Sequence, residues 1–197
     1  MNNKGFTLVE LLVVIAIIGI LAIVAVPALF DNINKAKRSK VESDYNAVKS
    51  ALLSYYAENN ELAKNINDLQ VDGMLDYKKA PIGGEYKIRA KDENNQIGSL
   101  DEDNGEPKFI PSIAHKIDKD KNLSNETISL HDYGDAYLTL QGFADNKLFI
   151  SDKQFKKLVD DIGYENIFIS AKPSGTGYQT GEIYIRLANN ILPKPGN

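Results

Sequence analysis

A chain of 197 residues with 43% hydrophobic content and a formal net charge of −4 suits one soluble domain with one globular core plus an apolar anchor. Its mildly acidic balance makes it a poor electrostatic partner for nucleic acid, so no nucleic-acid partner is expected. Cysteine is absent, which removes disulfides and any cysteine nucleophile.

From Leu11 to Phe30 there are 20 residues without a charged side chain. At about 1.5 Å per residue this is about 30 Å of helix, the thickness of a bilayer's hydrocarbon core. Glu10 stands at its head. A carboxylate facing lipid costs on the order of 2.5–3.5 kcal/mol, so a partner for Glu10 is expected. Met1-Asn2-Asn3-Lys4-Gly5 is too short and too weakly basic for an ordinary secretory leader. The apolar run is too long for a signal-peptide core and has no small-x-small exit, so cleavage behind it is not expected.

Gly19 and Pro27 interrupt the run. Proline lacks the amide that would bond the carbonyl of Ile23, and Ile20, Ile23, Val24 and Val26 are β-branched, so this is a locally weak helix. In a membrane it should stay helical, with a kink at most, whereas packed among protein neighbours it could unwind. Beyond Pro27, Leu29, Ile33, Ala36, Val41, Tyr45, Val48, Leu52 and Tyr55 or Tyr56 recur mostly every three or four residues. That spacing predicts one helix from about Phe6 to about Glu58, apolar all round in its first half and with one buried stripe in its second. Lys35, Lys37, Arg38 and Lys40 read as a solvated face, with anionic lipid or an acidic neighbour as alternative partners.

Asn59 to Ile82 reads as a connection with a short helix around Ile66 to Leu69. Tyr86 to Ala90 alternates like a strand after Gly83-Gly84, and Lys91 to Pro107 reads as an acidic surface loop. Ser112 to Asn125, hydrophilic with scattered isoleucine, carries no readable element. Glu126 to Leu130 and Ala136 to Phe143 read as strands. Ser151-Asp152-Lys153-Gln154 is a capping-box pattern opening a short amphipathic helix that Gly163 stops. Asn166 to Lys172 and Gly181 to Leu187 are strands flanking a hairpin at Pro173 to Gly177. The predicted fold class is α+β, a small antiparallel sheet laid against the amphipathic half of the long helix.

Little supports other chemistry. His115 and His131 are the histidines, and His131-Asp132-Tyr133-Gly134-Asp135 lacks a placed nucleophile, so it reads as a turn and no catalytic residue is assigned. Asp101 to Glu106 lacks an oxygen side chain at the fifth place of a calcium loop, and Asp118 to Asn122 lacks glycine at the sixth, so both read as solvated loops and no metal or cofactor is expected. Asn122-Leu123-Ser124 and Asn125-Glu126-Thr127 match a glycosylation pattern, read as coincidence in a bacterial chain.

Lys4-Gly5 followed by Phe6-Thr7-Leu8-Val9-Glu10 resembles the type IV pilins, most closely in character the cysteine-poor major pilins of Gram-positive clostridia. The resemblance implies that a prepilin peptidase cuts between Gly5 and Phe6 and methylates Phe6. Glycine suits such a cut because it least obstructs approach to the backbone. The resemblance further implies that Glu10 meets the amino terminus at Phe6 of a neighbouring subunit, that the helix around Gly19 and Pro27 loosens in the fibre, and that the fold is the pilin fold. Its divisions would be a leader at 1–5, a membrane or filament-core half-helix at 6–30, an amphipathic half at 31–58 and a head at 59–197.

The implied partners are identical subunits in a helical homopolymer, prepilin peptidase, the assembly platform and its ATPase, minor pilins, and membrane lipid before assembly. The implied life history is a single-pass membrane precursor that becomes an extracellular pilus for adhesion, motility or biofilm formation. Many pilins of bacteria with an outer membrane carry a disulfide-closed carboxyl-terminal loop, which this chain lacks. Counting positive charges alone points the other way, since Lys4 precedes the span and Lys35 to Lys40 follow it, which would leave the carboxyl-terminal part in the cytoplasm; the cleavage motif is the more specific signal. Two alternatives stand beside the pilus: a pseudopilin of type II secretion or DNA uptake, and a membrane-tethered binding or adhesive protein that never polymerises.

Overall fold

The computed structural model describes residues 5–63, 66–69, 80–82, 85–90, 113–130, 135–141, 152–170, 173–174, 177–178 and 182–189. The loop expected at 91–107, the acidic stretch at 101–106, His131 and the capping residue Ser151 lie outside them. The chain divides into two units, Met1–Lys37 and Arg38–Asn197.

Helix α1 spans Leu8–Asn59, within about two residues of both expected ends. Its buried residues are Arg38, Val41, Asp44, Tyr45, Val48 and Leu52, one face at helical spacing. The stripe therefore begins later than the sequence pattern predicts: Leu29, Ile33 and Ala36 are exposed. Helical periodicity identifies a face that can be buried, and burial of these three requires a surface that the described residues of this chain do not supply.

The second unit is built on an antiparallel sheet. Its strands are β1 (Glu85–Ala90), β2 (Ile113–Ile117), β3 (Leu123–Ser129), β4 (Ala136–Gln141), β5 (Ile167–Ile169) and β8 (Ile183–Ala188), in the order β1-β4-β8-β5-β2-β3. Strands β6 (Pro173–Ser174) and β7 (Gly177–Tyr178) form a separate short hairpin, at the place the Pro173 to Gly177 pattern marks. A 3₁₀ turn at Ile66–Leu69 and helix α2 (Asp152–Ile162) complete the described elements. Helix α2 ends where Gly163, at φ 96°, takes a left-handed backbone that a Cβ would strain, and its amide bonds the carbonyl of Val159 at 2.9 Å.

Side-chain alternation decides what each sheet face does. On β4 and β8, Leu138, Leu140, Ile183, Ile185 and Leu187 point to one side, where they pack with Ile88 of β1, with Val41, Val48 and Leu52 of α1, and with Phe155 and Leu158 of α2. The intervening Tyr137, Phe168 and Tyr184 form a second cluster. Their rings meet edge to face, Tyr137 to Phe168 at 6.0 Å and Tyr137 to Tyr184 at 6.3 Å, a geometry aromatic quadrupoles favour.

The β2–β3 hairpin occupies most of the stretch without a readable element. Its turn is tied by the Asp118 carboxylate, which accepts from the Asn122 amide at 2.8 Å, and Lys121 sits at φ 63°. This gives the Asp118 to Asn122 acidic run a structural task as a hairpin turn. Strand β3 accordingly begins at Leu123 rather than at Glu126. The basic group after Pro27 is also less uniformly solvated than expected: Arg38 is buried with its Nε 3.5 Å from Asp161 of α2, and Lys40 lies 2.7 Å from Asp44. Both contacts compensate charge at the place where α1 becomes buried.

Candidate assembly site

Residues Gly5 to Phe30 present a surface that a soluble domain would not leave in water. Every Val, Leu, Ile and Phe from Phe6, at 84% exposure, to Phe30 is at least 45% exposed, the lowest being Val14. Fully burying one such side chain is worth about 1.5–3 kcal/mol, so this segment carries tens of kcal/mol of unused burial. Its helix is long and apolar enough to cross a membrane, and none of its apolar stretch is buried. Single exposed leucines are ordinary, but a continuous exposed run marks a surface made for lipid or for protein.

The first turn of α1 is built as a reciprocal cap. The amide and hydroxyl of Thr7 both donate to Glu10 Oε2 at 2.8 Å, and the Glu10 amide donates to Thr7 Oγ1 at 3.2 Å. Thr7-Leu8-Val9-Glu10 is thus a capping box that satisfies amides left free at a helix start. The first helical bond follows, from the Leu11 amide to the Thr7 carbonyl at 3.2 Å.

This cap changes the argument about Glu10. The acid has a partner inside its own chain, so the need for one does not by itself demand a neighbouring subunit. Thr7 was open to view in the sequence, since the pattern that identifies Ser151 to Gln154 as a cap also fits Thr7 to Glu10. Both bonds that the Glu10 carboxylate accepts from Thr7 lie on Oε2; among the described residues, Oε1 accepts no hydrogen bond.

The other expected site residues are placed plainly. Gly5 and Phe6 precede the helix, and a Cβ built on Gly5 would meet nothing within 4 Å. Gly19 has the same open surroundings, and Pro27 lies inside α1, which is helical throughout. The missing proline amide leaves the Ile23 carbonyl without its usual helical donor. The structure joins Thr7 to Glu10 and leaves Phe6, Gly19 and Pro27 on open surface.

Two family descriptions match, the prokaryotic N-terminal methylation motif at residues 1–26 and the PilW C-terminal family at residues 32–98. The type II secretion system core protein G of Klebsiella michiganensis is 35% identical over 113 residues, 49% of this chain and 80% of that protein. The chain belongs to the type IV pilin and pseudopilin family. A fimbrial protein of Pseudomonas aeruginosa is 35% identical over 102 residues, 50% of this pilin-family chain and 65% of that protein. The solved major type IV pilin PilA1 of Clostridium difficile matches 80% of this chain and 98% of its own at 26% identity, with a TM-score of 0.45. The chain spans half or less of several other curated relatives, such as 38% of the core protein G of Pectobacterium carotovorum. These relatives are structural pilins and pseudopilins, and the methylation-motif match covers Gly5, Phe6, Thr7, Glu10 and Gly19 of this pilin-family sequence.

Proposed function

We propose that this chain is the repeating subunit of a type IV pilus. The observation that carries the reading is the continuous exposure of the apolar side chains from Phe6 to Phe30 directly behind the Thr7–Glu10 cap. Residues 1–5 serve as a leader, prepilin peptidase cuts after Gly5, and the same enzyme methylates Phe6. The precursor is held in lipid by residues 6–30, with residues 31–58 as the amphipathic half of the helix and 59–197 as the head outside the membrane.

Assembly exchanges one apolar environment for another, as the segment leaves lipid and packs against copies of itself in a helical fibre. Glu10 keeps its Oε2 on Thr7 and offers Oε1 to the positive amino terminus at Phe6 of a neighbour. That contact joins different surfaces on the two copies and does not close, so it generates a filament. Gly19 and Pro27 let the helix loosen once neighbours can satisfy its backbone. The assembly platform with its ATPase, and minor pilins, act as partners, and the protein itself carries out no catalysis. Replacing Glu10 by Ala should leave the precursor processed and membrane-bound but reduce surface fibre at least tenfold. Fibre in wild-type amount from that variant removes Glu10 from the mechanism.

A second reading is a pseudopilus subunit, favoured by the 35% identity to a type II secretion core protein over 80% of that protein's length. Electron microscopy separates the two. Long surface fibres that vanish on deletion of this chain support the pilus; deletion that blocks secretion while no long fibre exists supports the pseudopilus.

A further inference from the structure

The second unit carries a groove on the aromatic face of its sheet, remote in sequence from the proposed assembly segment. Its volume is ≈ 410 Å³, within the range of about 300–1,000 Å³ typical of small-ligand clefts. The Arg186 guanidinium of β8 lies in the lining and covers the buried Phe168 ring of β5, 4.7 Å from its centroid. Stacking holds the guanidinium flat, and its Nε is buried with no hydrogen-bond partner. One wall is β3, whose Ser124, Glu126 and Ile128 share a face by their spacing of two. The other wall is the turn after α2, where Tyr164 is 45% exposed and Glu165 stands beside it in the lining.

The charges in this groove select against ions of either sign. Lys116 is held on Glu126 at 2.9 Å, and its hydrogen bond and charge keep the Glu126 carboxyl below its ordinary pKa. An anion drawn to Arg186 would also meet Glu126, Glu165 and Asp118, and a cation would meet Arg186 and Lys116. A neutral molecule carrying many hydroxyls meets no such opposition. Its hydroxyls can donate to the carboxylates and accept from the guanidinium fork, while an apolar C–H face rests on an aromatic ring. Mixed polar walls beside the exposed Tyr164 ring are complementary to that chemistry.

We infer that this groove binds a terminal residue of a neutral saccharide, with the exposed Tyr164 stacking on the sugar ring and Glu126, Glu165 and Arg186 fixing its hydroxyls. The site stands independently of filament assembly. The test is saturation-transfer NMR on the full-length protein in zwitterionic micelles, which avoids sugar-headed detergents. The probes are lactose, cellobiose and N,N′-diacetylchitobiose, with glucuronate and glucosamine as charged controls. The expected result is saturable transfer to at least one neutral disaccharide, weakened at least tenfold by Tyr164→Ala and by Glu126→Gln and unchanged by Lys153→Ala on the exposed face of α2. Tyr164 is solvent-facing, so its removal leaves the core intact, and an unaltered circular dichroism spectrum confirms that. Absence of transfer to every neutral probe, equal binding by wild type and both groove variants, or stronger binding of a charged control would each overturn the inference.

Discussion

Tyr86 of β1 donates its hydroxyl to Oδ2 of Asp44 on α1 at 3.1 Å, and both residues are buried. This bond fixes the rotation and height of the helix's amphipathic part against the sheet edge. Lys40 adds its ammonium 2.7 Å from the other carboxylate oxygen, close enough for an ion pair but at an angle that leaves that oxygen without a directed hydrogen bond. Removing the Tyr86 hydroxyl leaves the buried Oδ2 of Asp44 without its hydrogen bond, with Lys40 as the remaining charge partner of the carboxylate. Tyr86→Phe should therefore destabilise the second unit by about 1–3 kcal/mol. Chemical unfolding of the full-length protein in micelles, followed by near-ultraviolet circular dichroism, measures this; a change below about 0.5 kcal/mol, the scatter of neutral surface substitutions, contradicts the assigned role.

The same pair sets an alkaline limit. Burial, then the charge and hydrogen bond of Asp44, push the Tyr86 phenol well above its ordinary range, and burial with Asp135 does the same for Tyr137. A tyrosine with a raised folded pKa contributes stability that is complete below its unfolded pKa of about 10 and is lost as pH rises beyond it. Absorbance titration near 295 nm should show the Tyr86 and Tyr137 share of the signal appearing only as the fold is lost. Full ionisation of all 10 tyrosines with near-ultraviolet ellipticity intact would contradict this.

Much of this arrangement can be read from the residues, and its gaps have physical causes. The long helix is legible because its apolar positions recur at helical spacing over many turns, and β4, β5 and β8 because alternating Ile, Leu, Tyr and Phe rarely fit another period. The β2–β3 hairpin is hidden because Ile113, Ile117, Leu123 and Ile128 are diluted by the polar residues of a partly exposed pair of strands. Arg38 and Asp44 escape notice because their burial depends on Asp161 and Tyr86, far away in sequence. At the assembly site, Glu10 and Phe6 stand out by motif, whereas Thr7 becomes visible only when the acid at its third following position is treated as a cap.

The cap on α1 can be tested by substitution. Thr7→Ala removes the one hydroxyl that both donates to Glu10 Oε2 and accepts from the Glu10 amide, at a cost of about 1 kcal/mol to the first turn, while Thr7→Ser restores both bonds. Hydrogen exchange at Val9 to Leu11 in micelles should accelerate several-fold in the alanine variant and return to the original rate in the serine variant. Equal exchange in all three chains would show that the cap is inert.

On β3, the Lys116 hydrogen bond and charge hold the Glu126 carboxyl below its ordinary pKa. A depressed carboxylate contributes stability present above its unfolded pKa and lost as pH falls through the folded one. Lys116→Met should raise the Glu126 midpoint, read by carbon-13 NMR of its carboxyl, toward the ordinary glutamate value, with little change in stability at neutral pH because the pair is exposed. An unchanged midpoint would show that the ion pair does not form in solution.

The most direct measurement is amino-terminal mass spectrometry of fibres sheared from cells that make this protein. The account predicts that their main component is this chain beginning at methylated Phe6. Fibres lacking the chain, with the protein remaining in the membrane fraction and still beginning at Met1, would contradict the assignment of Gly5 to Phe30 as a processed and polymerising segment.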